Sequence, residues 1–192
     1  MINRRQLKEK AKELQKEDKQ IYDEEGRAVI NMTVLDDNEF LSPYGEEKDI
    51  VISRETAAFL EHSTRAIHHN RDLTLVISSN VIDEKEKVLY KKGIHNYFEN
   101  SFLALQKDLK RNLWTSIIFA LIGVLYFAVL IVVSLFVDYD LILEMLSIAG
   151  WVFLWEAVEL FFIDRTEMKN RQYRAYAFLN AKIIYEELNK KS

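Results

Sequence analysis

The sequence predicts an α-helical membrane protein: a two-helix transmembrane hairpin with long cytoplasmic helical extensions and a small cytoplasmic α+β domain. Three observations predict it. Residues 113–137, LWTSIIFALIGVLYFAVLIVVSLFV, run for 25 positions without a charge. A helix of that length covers roughly 37 Å at about 1.5 Å per residue, more than the ~30 Å hydrocarbon core of a bilayer. Residues 141–163, LILEMLSIAGWVFLWEAVELFFI, form a second apolar stretch, charged only at Glu144, Glu156 and Glu159. Finally, Lys107, Lys110 and Arg111 precede the first stretch and Arg165, Lys169, Arg171 and Arg174 follow the second, while the linking Asp138-Tyr139-Asp140 has no basic residue. The positive-inside rule then puts both termini in the cytoplasm and the 138–140 loop outside.

Composition removes several function classes. The chain has no cysteine, so disulfides, thiolate catalysis and cysteine-based zinc sites are excluded. A net charge of −4 offers no basic patch of the size that nucleic acid requires. The N-terminal residues MINRRQLKEKAKELQKEDKQ contain no apolar core of a signal peptide, so the first span is expected to act as its own insertion signal. With only three residues outside, a receptor for large external ligands is not expected.

Residues 1–26 read as a charged helix or arm. Leu7, Ala11, Leu14 and Ile21 recur at heptad-like spacing, and Glu9–Lys12 and Glu13–Lys16 are helix-type charge pairs. A short coiled coil is the sharper alternative to a solvated helix. Residues 27–82 read as the small α+β domain. Within it, AVINMTVL at 28–35 is β-branched and apolar, a strand pattern. A turn-rich piece holding the only proline follows. Ile50–Ile52 is a candidate short strand. Ser53 is a candidate N-cap, with Glu55 in the first turn, for a helix over 54–67 whose apolar face is Ala57, Ala58, Leu60 and Ile67. Residues 72–78 alternate Leu73, Leu75 and Ile77 against Thr74, Val76 and Ser78, which predicts a half-buried strand.

Residues 83–112 read as a stalk helix. Asp83 with Glu86 is a capping-box pattern with Asp as the cap. The stripe Tyr90, Ile94, Phe98, Phe102, Leu105 and Leu109 runs at helical spacing into the first span, interrupted by no proline and weakened only at Gly93. Residues 164–192 read as a C-terminal helix with the stripe Tyr173, Tyr176, Ala177, Asn180, Ile184 and Leu188. Asn112 and Asp164 mark the same membrane edge, so antiparallel geometry brings Asp83 level with Ser192 and suggests that the two extensions pack on each other.

SPYGEEKDIVISRETAAFLEHSTRAI, LTLVIS, DEKEKVLYKKGIHNYFEN and WVFLWEAVELFFIDR occur in that order. Together, over residues 38–185, they resemble an uncharacterised family of small bacterial two-span membrane proteins. The resemblance implies this architecture and a bacterial plasma (inner) membrane. It brings no activity.

The second span has two faces. With Gly150 at zero and about 100° per residue, Ser147 falls at about 60° and Ala157 at about 340°, whereas Glu144, Glu159 and Glu156 fall at about 120°, 180° and 240°. Small residues admit a neighbouring backbone, and Ser116, Ala120 and Gly123 offer a matching strip on the first span. The carboxylates lie on the opposite side. A charge in the bilayer costs several kcal/mol and is normally turned toward a bundle interior or water. With only two spans per chain, that interior is expected to come from further copies. Glu144 lies near the outer edge and reads as interfacial. Glu159, ~6 Å deep by the helical rise, can reach the headgroups or meet Arg111. Glu156, ~10 Å deep, reads as a hydrogen-bonding group at an oligomer seam or as part of a cation or proton pathway. Trp151 and Trp155 flank it near mid-span, where packing in a protein interface is expected.

Enzyme chemistry finds little support. The five glycines are scattered and form no phosphate-binding loop. A metal site from His62, His68 or His69 with Glu61, and a divalent-cation loop at Asp36, Asp37 and Glu39, are weaker readings than surface histidines and a solvated turn. Neither a cofactor nor a metal is expected. The sequence therefore points to a homo-oligomeric bacterial plasma-membrane protein that acts as a non-enzymatic structural or signalling module through its cytoplasmic domain. The alternative is a cation channel or transporter with a pathway lined by Glu156 and Glu159. The expected partners are the lipid bilayer, further copies of the chain, a cytoplasmic protein and, for the alternative, a cation.

Overall fold

The computed structural model describes residues 6, 9, 22–45, 49–64, 67, 72–136 and 140–188, except for the side chains of 140–142. The heptad positions of the N-terminal arm, the Asp138–Tyr139 link and the His68–His69 pair lie outside these residues. The chain divides into two compact units. One is Met1–Phe98 with Ala177–Ser192, the other Glu99–Tyr176.

The first unit is built on a parallel sheet of β1 (Ala28–Val34), β2 (Leu73–Ser79) and β3 (Lys182–Glu186), in the order β1-β2-β3. Ala28 faces Leu73 at one end of the β1–β2 register and Val34 faces Ser79 at the other. Thr74 faces Lys182 and Ser78 faces Glu186 across β2–β3. Parallel neighbours cannot be joined by a tight turn. Helix α1 (Arg54–Ser63) lies in the crossover between β1 and β2. The domain is therefore of the α/β kind, where the sequence suggested α+β. This also corrects the expectation for β2: Leu73 through Ile77 are all buried, Thr74 and Val76 included. A central parallel strand is covered on both faces, so alternation there carries no exposure signal.

Local chemistry fixes each entry. Before β1, Asp23 accepts backbone N–H bonds from Glu25 and Arg27 through Oδ1 and the Thr74 hydroxyl, at 2.6 Å, through Oδ2. These bonds hold its carboxyl below the usual carboxylate range, the Thr74 bond most of all. Gly26 closes this turn at φ 77°, where a β-carbon would be strained. Ser53 caps α1 by accepting the Thr56 N–H, as expected, but the helix ends at Ser63 with Thr64 as its C-cap. Its buried face is Thr56, Ala57 and Leu60, and Ala58 is exposed. The Ile50–Ile52 strand reduces to one antiparallel bridge, Leu41 to Ile52.

Helix α2 runs unbroken from Glu84 to Ser134, 51 residues. Its N-terminus is the expected capping box: Asp83 Oδ1 accepts the Glu86 N–H and Glu86 Oε2 accepts the Asp83 N–H, both at 2.7 Å. Tyr90, Ile94 and Phe98 are buried. Tyr90 stacks on Phe40 with ring centroids 4.3 Å apart and donates to Asp37 Oδ2. Gly93 is explained by close approach, since a β-carbon there would sit 2.8 Å from Leu41 Cδ2 and 3.5 Å from the Ile52 nitrogen.

The C-terminal segment corrects the prediction of a helix over 164–192. Helix α4 (Arg165–Leu179) stops, and Lys182–Glu186 joins the sheet as β3. The run Lys-Ile-Ile-Tyr-Glu is β-branched and aromatic, and pairing with β2 decides its state. The buried positions of α4 are Ala175 and Phe178, while Tyr173 and Tyr176 are exposed. Phe178 stacks on Phe98 at 4.1 Å, and these two lie at equal chain distances from Asn112 and Asp164. Beyond that point the tail runs ahead of the helical register: the Tyr185 hydroxyl donates to Lys87 O, and Leu188 already meets Asn80. A strand rises about 3.3 Å per residue against about 1.5 Å for a helix, so fewer residues reach the same level.

Burial pushes the Tyr185 phenol up to about 12. Burial, reinforced by Asp37, also raises Tyr90. A raised phenol favours the fold while neutral. Both contributions are whole below the ordinary phenol pKa of ~10 and are lost as pH rises toward the folded-state values. Thermal unfolding of the first unit is therefore expected to move to lower temperature across about pH 10–12, and Tyr185→Phe is expected to flatten that dependence. Circular dichroism melts across that range check both.

Candidate functional site

The second unit joins α2 to α3 (Asp140–Val158), a π-helical turn (Glu159–Asp164) and α4. Two helical stretches, Glu84–Ser134 and Leu143–Leu179, are long and apolar enough to cross a membrane, and only 11% of each apolar window is buried. Trp114, Ile118, Leu121, Leu125 and Val129 all present exposed side chains. A soluble core helix would hide such residues, whereas here they stay on the surface.

The small residues of the two stretches do meet. Ser116 is buried and its Oγ donates to Ala157 O at 3.0 Å, with Ala157 itself buried. Gly123 and Gly150 are buried. A β-carbon on Gly123 would lie 2.6 Å from Leu154 Cδ2, and one on Gly150 would lie 2.8 Å from both Phe127 Cε2 and Tyr126 Cδ1. Tyr126 Oη donates to Leu146 O, and Phe119 stacks with Phe153. Two members of the strip contribute less: Ala120 is half-buried, and Ser147 spends its hydroxyl on Glu144 O of its own helix.

The carboxylates stay out of this contact. Glu144 and Glu159 are exposed and Glu156 is half-buried. Among the described residues none of the three side chains has a hydrogen-bond or ion-pair partner. Arg111, the sequence-suggested partner of Glu159, pairs instead with Asp108 at 3.0 Å. Trp151 and Trp155 are 64% and 66% exposed on the single chain, with Trp151 meeting Phe127 edge-on. Asp37, one of the acidic-turn residues, serves the Tyr90 hydroxyl, and Asp36 Oδ1 accepts from Asn38. No group of three histidine or acidic residues arranged to hold a metal occurs among the described residues.

Three features escaped sequence reasoning. One is the π-turn, in which the Arg165 N–H reaches back to Leu160 O. Such turns recur at functional sites, and the run ELFFID carries no glycine or proline to mark one. Another is a pair of buried side-chain atoms without a protein partner, Asn112 Oδ1 and Arg165 Nη1. Asn112 served only as an edge marker and Arg165 only as a flanking charge. The third lies in the first unit, where a cleft of about 630 Å³ opens at the carboxyl ends of β2 and β3, lined by Ser79, Asn80, Lys87, Tyr185 and Glu186 among others. Ligands favour that end of a parallel sheet. Here, however, the polar groups satisfy one another: Asn80 is spent on Leu188, and Lys87 pairs with Glu84 and lies over the Tyr185 ring.

Fold and site thus define a mostly helical chain with an antiparallel pair of candidate membrane-spanning helices and a three-stranded parallel sheet. No family model, no curated protein and no solved structure matches it.

Proposed function

We propose that this chain is a homo-oligomeric, two-span protein of the bacterial plasma membrane, with both termini cytoplasmic, that serves as a non-enzymatic structural or signalling module. One observation carries the reading. Strands β2 and β3 are hydrogen-bonded neighbours, yet the chain between them runs through both apolar helices. The hairpin is the crossover connection of the sheet. A change in how the two spans pack, or in what they pack against, therefore acts on the strands that build the cytoplasmic domain. Exposed apolar surface on both helices supports insertion, and basic residues at 107, 110, 111, 165, 169, 171 and 174 support the orientation. Association of copies follows from the carboxylate face, which the hairpin leaves unpartnered and which lipid would not accept. Native mass spectrometry of the protein in nanodiscs is expected to give a multiple of the chain mass, and a monomer overturns the oligomer.

A second reading rests on the same face. In a closed ring of copies, Glu156 and Glu159 would surround a common axis, and rings of carboxylates favour cations. Under this reading, Glu156→Gln with Glu159→Gln abolishes or reshapes cation conductance in planar bilayers. Unchanged conductance removes the pathway, and no conductance in the parent protein leaves the signalling reading alone.

A further inference from the structure

We propose that Asn112 and Arg165 form a binding site for the headgroup of an anionic phospholipid, one whose phosphate is accompanied by hydroxyl groups, at the basic edge of the hairpin. The proposal rests on the membrane reading above. Asn112 is only 6% exposed, and its Oδ1 has no protein hydrogen bond. Arg165 Nη1 is equally buried and equally without a protein partner. Buried polar atoms are nearly always bonded, and each one left unmatched costs about 1–3 kcal/mol.

The two residues belong to one level of the hairpin. Asn112 lies four residues before Ser116, hence on the same helical face, and Ser116 is bonded to Ala157 of the opposing helix. The π-turn begins two residues after Ala157 and delivers Arg165 at its end. The guanidinium is held over the Phe161 ring, 5.7 Å from its centroid. A ligand that answers both groups must accept from the guanidinium and donate to the carboxamide oxygen. A phosphodiester supplies acceptors for the guanidinium, and a headgroup hydroxyl supplies a donor for the carboxamide.

The surroundings favour a lipid over free phosphate. Trp114, Phe162 and Ile163, all exposed, present apolar surface at the same level of the two helices, on which acyl chains can lie. Lys107, Lys110, Lys169 and Arg171, also exposed, concentrate anionic headgroups at this edge. Basic pockets between membrane helices on the cytoplasmic side recur as headgroup sites.

The test is native mass spectrometry of the full chain with phosphatidylglycerol and phosphatidylcholine titrated separately. Thermal shifts are measured in parallel with each lipid and with inorganic phosphate. Phosphatidylglycerol is expected to bind at least about tenfold more tightly than phosphatidylcholine, a preference of about 1.4 kcal/mol. Phosphate alone should give no thermal shift. Arg165→Gln and Asn112→Asp should each reduce the preference by about fivefold or more, while Lys92→Gln, at an exposed position in the first unit, should leave it nearly whole. Arg165→Lys, which keeps the charge and loses the fork, should give an intermediate value and guards against a variant that merely fails to fold. Equal preference in the parent protein and in Arg165→Gln overturns the site, as does a phosphate shift matching that of phosphatidylglycerol. Failure of the underlying membrane reading looks different: the parent chain would then stay soluble without detergent and pellet with no vesicle.

Discussion

Gly123→Leu and Gly150→Leu are each expected to unfold the helical hairpin at markedly lower denaturant or temperature, with a loss of roughly 2–3 kcal/mol. The magnitude is a balance. Leucine is the better helix former by about 0.8–1 kcal/mol, so an uncrowded glycine would gain stability from the change. Crowding opposes it. At Gly123 the first added carbon already lies 2.6 Å from Leu154 Cδ2, 2.9 Å from Cγ and 3.3 Å from the backbone nitrogen. The leucine side chain can turn aside, but the nitrogen belongs to the opposing helix and cannot. At Gly150 the obstacles are the rings of Tyr126 and Phe127, and both are held in place. Tyr126 Oη is bonded to Leu146 O and Phe127 packs edge-on against Trp151. Leucine at Val124, an exposed neighbour, is the control and should be neutral. Unfolding in mixed micelles, followed by tryptophan fluorescence, measures all three. Stabilisation by Gly123→Leu would show that the two helices do not pack through this strip.

How much of this was legible depended on the distance over which each cause acts. The capping box at Asp83 and Glu86, the Ser53 cap and the unbroken α2 are written in neighbouring residues, and each was readable. The antiparallel register was readable too, because one shared edge fixes it: Phe98 meets Phe178 as equal spacing requires. The glycine–serine strip could be read because small side chains have one dominant use between apolar helices. What was not legible involved partners far away in the chain. KIIYE follows a helix and continues its stripe by eye, and only the hydrogen bonds of β2, over a hundred residues earlier, make it a strand. Thr74 and Val76 look like the open face of a two-layer strand, yet both are buried, and the Thr74 hydroxyl is bonded to Asp23. The π-turn had no local mark at all. The carboxylate face stands between these cases: its position on the helix was readable from a 100° wheel, whereas no hydrogen-bond or ion-pair partner for it occurs among the described residues.

Ending the chain after Asn180 is expected to abolish the fold of the first unit while leaving the apolar hairpin helical. The prediction separates the two accounts of the C-terminus. If residues 181–188 only prolonged a helix, removing them would trim its solvent end and cost little. As β3, they supply the backbone partners of Thr74 through Ser78, the central and most buried segment of the domain. Their loss strips one edge of β2 of its hydrogen bonds and uncovers Leu75 and Ile77, which are 0% exposed in the intact chain. It also removes Tyr185, with its bond to Lys87 O, and the Leu188 groups that satisfy Asn80. A sheet cut from three strands to two falls to the limit of independent stability. Limited proteolysis should then cut within residues 22–80 of the truncated chain at rates at least about tenfold above the intact one. Cleavage inside 113–134 should remain slow. Ile184→Lys, which sets a charge opposite Val76 without shortening the chain, should move in the same direction by a smaller amount. Because the chain between β2 and β3 runs through the hairpin, the same logic runs in reverse: a variant that parts the two spans, such as Gly150→Leu, should also raise proteolysis in the sheet. Seeing that rise with no substitution in the sheet itself would show that the spans and the domain share their stability, as the signalling reading requires. Its absence would leave the hairpin as an anchor alone.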